Sequence, residues 1–338
     1  MSTATVLRDR AGEGTGAAKP PRKRPSVITW AGYAIVVLVL GVFAVGSPHF
    51  LQLSNLASVL NQAAVFAVAG IGLAVVIVTG GDDVLEGGID LSIGAVAGLA
   101  GTVTAVAVAS GAGVPLAVVV GLAVSAAIGA VNGTAVVLGL RPLLATLATM
   151  GIATSLELVV SENIKVALEG GVFVWLRQGT VVGLPSAVVV LLLVALAAWW
   201  ALDRTAWGVN SHAVGQNPTA ASVAGLSPGR YRFASYVVSG LLGGIAGVLL
   251  ASRLSAAVPG IGAQILLDII LVAYMSTVFS RRLVVNVAGT VVAAVFVAGL
   301  TNGLTLMGVP SQWVGAAKGV LILLVLAVVV VRGRSVSK

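Results

Sequence analysis

The chain has 338 residues, 58% of them hydrophobic and 9% charged, with mean hydropathy +1.10, a formal net charge of +8 and no cysteine. The charged fraction lies far below the roughly 25% of a soluble domain, which makes a water-soluble fold the poorer account. The absence of cysteine excludes disulfides and thiolate metal sites. The two histidines, His49 and His212, are far apart, which speaks against a metal site. The cations sit beside apolar runs and form no basic stripe with interleaved aromatics, so a nucleic-acid partner is not indicated.

Residues 1–26 are polar and carry Arg22, Lys23 and Arg24 next to the first apolar run. They read as a disordered basic tail on the cytoplasmic side, and no Ala-x-Ala site follows the run to suggest a cleaved signal. Residues 27–331 read as a transmembrane domain. Apolar stretches of about 20 residues, each enough to cross a hydrocarbon core of roughly 30 Å as a helix, fall at 27–46, 63–80, 89–109, 114–138, 143–160, 184–202, 233–250, 265–280, 284–300 and 314–331. Residues 48–62 read as an amphipathic connector too polar to span. The fold class is therefore all-α, a polytopic membrane protein of about ten transmembrane helices, because lipid offers backbone groups no hydrogen-bond partner.

Lys and Arg collect in short cytoplasmic loops. With the amino terminus inside, most of the 19 basic residues fall on the cytoplasmic side, including Arg141, Arg204, Arg230, Arg232, Arg281 and Arg282. Only Lys165, Arg177, Arg253 and Lys318 lie outside or near the outer face. An even helix count preserves this asymmetry, so both termini, including the tail at 332–338, are expected in the cytoplasm. The pattern G-x-x-N-G recurs at 129–133 and 299–303. Two five-helix halves of inverted topology would produce it, and so would chance in a glycine-rich chain.

Four polar places stand out in the apolar background. Asp90 and Ser92 lie where an apolar helix begins. A carboxylate there either caps the helix or lines a polar cavity, since an ionisable group at membrane depth is costly unless it serves a pathway. Asn132 can bridge helices or bond a hydroxylated solute. Residues 203–232 form a polar stretch in which Asn217 and Pro218 suit the start of a short helix, a compact knob for a partner; an ordinary solvated loop is the alternative. Asp268 and Asn302 complete the set, Asp268 either facing a solute path or capping its helix.

Taken together, the stretches GGIDLSIG (87–94), Asn132-Gly133 through LATM (to residue 150), AVGQNPTAASVAG (213–225) and NGLTLMGV (302–309) resemble the permease subunits of ribose- and galactose-type ATP-binding-cassette importers over about residues 50–330. The resemblance implies a bacterial inner-membrane permease that translocates a sugar or sugar-like solute. It implies a second permease copy, cytoplasmic ATPase subunits and a periplasmic solute-binding protein as partners, with lipid around the chain. Asp90, Ser92, Asn132, Asp268 and Asn302 would then line the substrate pathway, and the segment containing Gly215, Asn217, Pro218, Ala220, Ala221 and Gly225 would be the coupling helix that docks on the ATPase. The chain has no G-x-x-x-x-G-K-[ST] phosphate loop, so ATP would be bound by the partner and no cofactor by this chain, which is not itself an enzyme. The sequence departs from the family at Asp82, Asp83 and Glu86, and at residues 279–283. The rivals are an ion-coupled secondary transporter, for which Glu157 is the main mid-span candidate, and a permease of the same class for nucleosides or branched-chain amino acids.

Overall fold

The computed structural model describes residues 27–81, 87–280 and 284–336. The tail at 1–26, the acids Asp82, Asp83 and Glu86, and Arg281 and Arg282 lie outside the described residues. Every apolar run forms a helix: α1 (Val27–Gly46), α2 (Leu53–Gly80), α3 (Ile93–Ala109), α4 (Val114–Val137), α5 (Pro142–Val160), α7 (Ser186–Arg204), α10 (Pro228–Leu254), α11 (Ile261–Met275), α12 (Val287–Leu306) and α13 (Ser311–Val336). Three further helices connect them: α6 (Gly171–Gln178), α8 (Ala206–Gln216) and α9 (Pro218–Val223). Among the described residues seven helices are long and apolar enough to cross a membrane, and three more apolar helical stretches are shorter. Among the described residues the sheet content is two tiny pairs, Val166–Ala167 with Ala256–Ala257 and Thr180–Val181 with Leu184–Pro185, both antiparallel.

Three boundaries differ from the sequence reading. Residues 53–62 are no connector but the first turns of α2, because their polar side chains have partners: Asn55 pairs with Asn302, Asn61 donates to the Arg177 carbonyl and Gln62 accepts from Arg253. The stretch 203–232 is largely helical, formed by the end of α7, all of α8 and α9, and the start of α10. The helix expected from residue 89 begins only at Ile93, so α3 has 17 residues and rises about 25 Å, short of a full crossing. Residues 87–92 make up the rest as buried non-helical chain.

α2 and α10 form the centre. In α2, 94% of the most apolar 18-residue window is buried, against 28% for α4 and α5 and 22% for α7. A helix apolar all round and enclosed on all sides is a core element, and the outer helices turn Leu and Val faces outward, as lipid requires. Small residues set the spacing at the centre. A Cβ added to Gly129 of α4 would lie 2.4 Å from the Tyr236 carbonyl oxygen of α10, and one on Gly240 would lie 2.4 Å from that of Ser125.

The packing has a pairwise regularity. α10 packs on α4 as α2 packs on α12, and α3 touches α4 and α5 as α11 touches α12 and α13. The starts of α3 and α11 meet reciprocally: a Cβ on Gly94 would lie 2.5 Å from the Gly262 oxygen, and one on Gly262 would lie 2.3 Å from the Gly94 oxygen.

Replacing Gly240 by Val forces α4 and α10 apart. The expected cost is about 1–3 kcal/mol, as for overpacked cores, seen as a lower melting temperature in detergent. Gly151→Ala, at a position with nothing within 4 Å of an added Cβ, should melt like the parent.

Candidate functional site

The break before α3 creates the main polar cluster. Asp90 does not cap α3 in the ordinary way. Its Oδ1 accepts from the Ser92 backbone N–H at 3.0 Å and from the Ser92 hydroxyl at 2.6 Å, and its Oδ2 accepts from the Ser239 hydroxyl of α10 at 2.7 Å. Asn132 of α4 donates from Nδ2 to Ser92 Oγ at 2.8 Å, and Thr149 of α5 donates to Asn132 Oδ1 at 2.6 Å. The phenol of Tyr236 donates to the Ile89 carbonyl at 3.0 Å, so backbone exposed by the break is also bonded. All of these side chains are buried. Asp90, Ser92 and Asn132 are therefore brought together, as links of one network in which each satisfies the next.

Beside it opens a cavity of about 230 Å³, lined among others by Gly87, Gly88, Arg141, Arg232, Ser235 and Tyr236. Tyr236 belongs to both the cavity lining and the network.

The other two candidates lie toward the opposite end and do not join this cluster. Asn302 of α12 exchanges two hydrogen bonds with Asn55 of α2, Nδ2 to Oδ1 in each direction at 2.8 and 2.9 Å, which occupies one donor and the acceptor of each amide. Asp268 lies well inside α11 and caps nothing; its Oδ1 is 2.7 Å from Lys318 Nζ of α13, both side chains nearly buried. Glu157, expected mid-span, sits in the last turn of α5 with its carboxylate against Gly98 of α3.

The segment singled out as a knob is built by local rules. Asn217 Oδ1 accepts from the Ala220 N–H at 2.9 Å, and Pro218 takes the first helical position, where its missing N–H costs nothing. Gly225 ends the element at φ +86°, a left-handed conformation favoured by glycine. Ala221 faces inward, whereas Thr219, Ala220, Ser222 and Val223 are exposed, Val223 at 87%. Gly215 lies so close to α2 that an added Cβ would be 2.1 Å from the Val78 oxygen. The knob is thus seated directly on the end of α2.

Sequence reading missed Ser239, Thr149, Tyr236, Asn55 and Lys318. Lys318 had a signal, being a lone cation in an apolar run. Ser239 had none, since hydroxyls in glycine-rich helices usually bond their own backbone.

The network is testable by a double-mutant cycle on Asn132→Ala and Thr149→Val. The two changes should couple by about 0.6–1.7 kcal/mol, the range of hydrogen bonds between membrane helices, measured by unfolding in detergent. Strict additivity would mean that the bond contributes nothing.

Residues 55–326 match the family described as branched-chain amino acid transport system / permease component. Among curated proteins, the chain is 32% identical over 307 residues to the ribose import permease protein RbsC of Escherichia coli strain K12, covering 87% of this chain and 91% of that one. It is 31% identical over 296 residues to RbsC of Bacillus subtilis strain 168, covering 87% and 89%. It is 36% identical over 142 residues to the xylose transport system permease protein XylH of Escherichia coli strain K12, covering 42% and 36%. No solved structure gave a significant match. With a family match spanning most of its length and apolar helices throughout, the chain belongs to this family of transport-system permease components and is a multi-pass membrane protein.

Proposed function

We propose that the chain is the permease subunit of an ATP-binding-cassette importer for a monosaccharide or a close analogue. The observation that carries this reading is the match to ribose import permeases along nearly the whole of both chains. A solute-binding protein would deliver the sugar at the outer face, and a separate ATPase would drive transport, since this chain lacks a phosphate-binding loop. The matches to import permeases do not favour the ion-coupled alternative.

In this reading the membrane is crossed about ten times, the three shorter apolar helices included, with both termini in the cytosol. The halves are inverted repeats. The reciprocal contact of Gly94 with Gly262 and the matched packing of α2–α5 and α10–α13 support that symmetry, as does the location of broken helices where repeats meet in other transporters. Two copies of the permease assemble, and α9 with its flanking residues Gly215, Asn217 and Gly225 docks into the ATPase. Exposure of the small side chains of α9, on a backbone fixed by its cap, supports that role. Asp90, Ser92 and Asn132 would border the path from the inside end, and Asp268 and Asn302 from the outside.

Proteoliposomes holding this permease with its ATPase should take up labelled ribose or xylose only when loaded binding protein is outside and ATP inside. Uptake driven by an ion gradient without ATP would overturn the assignment. Ala220→Trp should leave the complex assembled while uptake falls at least about tenfold, the loss expected when a packed contact of some 1.4 kcal/mol is removed. Export of a reporter fused at Asn217 would place the knob on the wrong side and end the coupling scheme.

A further inference from the structure

Two cations that break the inside-positive pattern, Arg253 and Lys318, come together in the fold. They line a cavity of about 220 Å³ between α2, α10, α11 and α13, together with Gln62, Phe66, Gln264 and Asp268. It lies in the half of the bundle where α2 begins and α10 ends, away from α8 and α9. Lys318 is explained by Asp268 at 2.7 Å, but among the described residues Arg253 has only a 3.3 Å bond to the Gln62 side-chain oxygen Oε1 and no acidic partner. Arg253 lies in the last turn of α10 and Asp268 midway along α11, and three ionisable groups and two amides from four separate helices around one space are costly near a membrane interior unless something polar enters it.

Resting on the reading of the chain as a sugar permease, we propose that this cavity is a solute-binding station in the outer half of the path, taking a monosaccharide-sized polyol. The donor set fits that class. A sugar hydroxyl both donates and accepts, and the cavity offers both: Asp268 accepts, Lys318 and Arg253 donate, and Gln62 and Gln264 do either. Phe66 supplies an apolar wall for the C–H face of a ring. The Asp268–Lys318 pair also keeps the site from carrying an unpaired carboxylate, so it need not recruit a cation to be stable when empty. With the other cation left over, the cavity is positive on balance and disfavours cationic solutes.

The chain has no cysteine, so a thiol introduced at Gln264 or Leu254, both lining the cavity, is the only one in the subunit. In proteoliposomes of the full complex, Gln264→Cys and Leu254→Cys should react with a membrane-impermeant thiol reagent added outside. Ribose or xylose, whichever the wild-type complex imports, should slow that reaction about tenfold when present at ten times a millimolar Kd. Val182→Cys, at a surface position 99% exposed, should react at the same rate with or without sugar. Arg253→Met should reduce sugar uptake while the ATPase still responds to binding protein. Thiols that never react, or that react equally fast with sugar in a complex that transports it, overturn the station. A wild-type complex that imports neither sugar overturns instead the reading on which it rests.

Discussion

No water waits inside a bilayer to satisfy a polar group, so every buried donor and acceptor must find its partner in the chain itself. This constraint is sharpest where α3 fails to begin on time. Residues 87–92 cross buried space without helical hydrogen bonds, which is tolerated because other elements supply them. Tyr236 bonds the Ile89 carbonyl, and the Asp90 carboxylate gathers three donors from its own turn and from α10. The chain of bonds then runs on through Ser92 and Asn132 to Thr149, so one break in one helix is repaired by α4, α5 and α10 together. Loosening any one element leaves a polar group of its neighbour in this chain without its partner.

Glycine makes that repair geometrically feasible. A serine hydroxyl or an asparagine amide reaches across only if the helix axes are close, and the carbonyl contacts at Gly129 and Gly240 show α4 and α10 at a separation that excludes even a methyl group. Burial gives little drive for association in lipid, so close packing and hydrogen bonds must supply it. The two depend on each other here, because the glycine faces lie within a few residues of Asn132 and Ser239.

How much of this was legible follows from the range over which each feature is decided. Hydropathy is local, and each of the ten apolar runs is indeed helical. The cap formed by Asn217 and Pro218 is local too, and α9 forms where those residues place it. What could not be read was decided by partners far along the chain. The polar residues of the first turns of α2 look unfit for a membrane helix until Asn302, 247 positions away, is seen to pair with Asn55. Asp268 looks like a cap until Lys318 arrives from α13. Asp90, Ser92 and Asn132 stand out in the sequence as polar groups in an apolar background, but the serine on α10 that completes their network resembles any other hydroxyl in a glycine-rich helix.

The exposed knob and the buried network are also closer than their environments suggest. Gly215 rests on the carbonyl of Val78, Gly81 rests on that of Gly215, and Gly80 abuts Gly88, which in turn rests on the carbonyl of Val76. Asp90 follows two residues later. Each step is backbone against backbone, with no flexible side chain between to absorb a displacement. A force that shifts α8 and α9 must therefore either open one of these contacts or carry the end of α2 and the 87–92 segment with it. These direct contacts run along the edge of the cavity of about 230 Å³, which Val76, Gly80 and Gly88 also line. The same glycines that let the helices meet thus connect the exposed α9 with the buried carboxylate of Asp90.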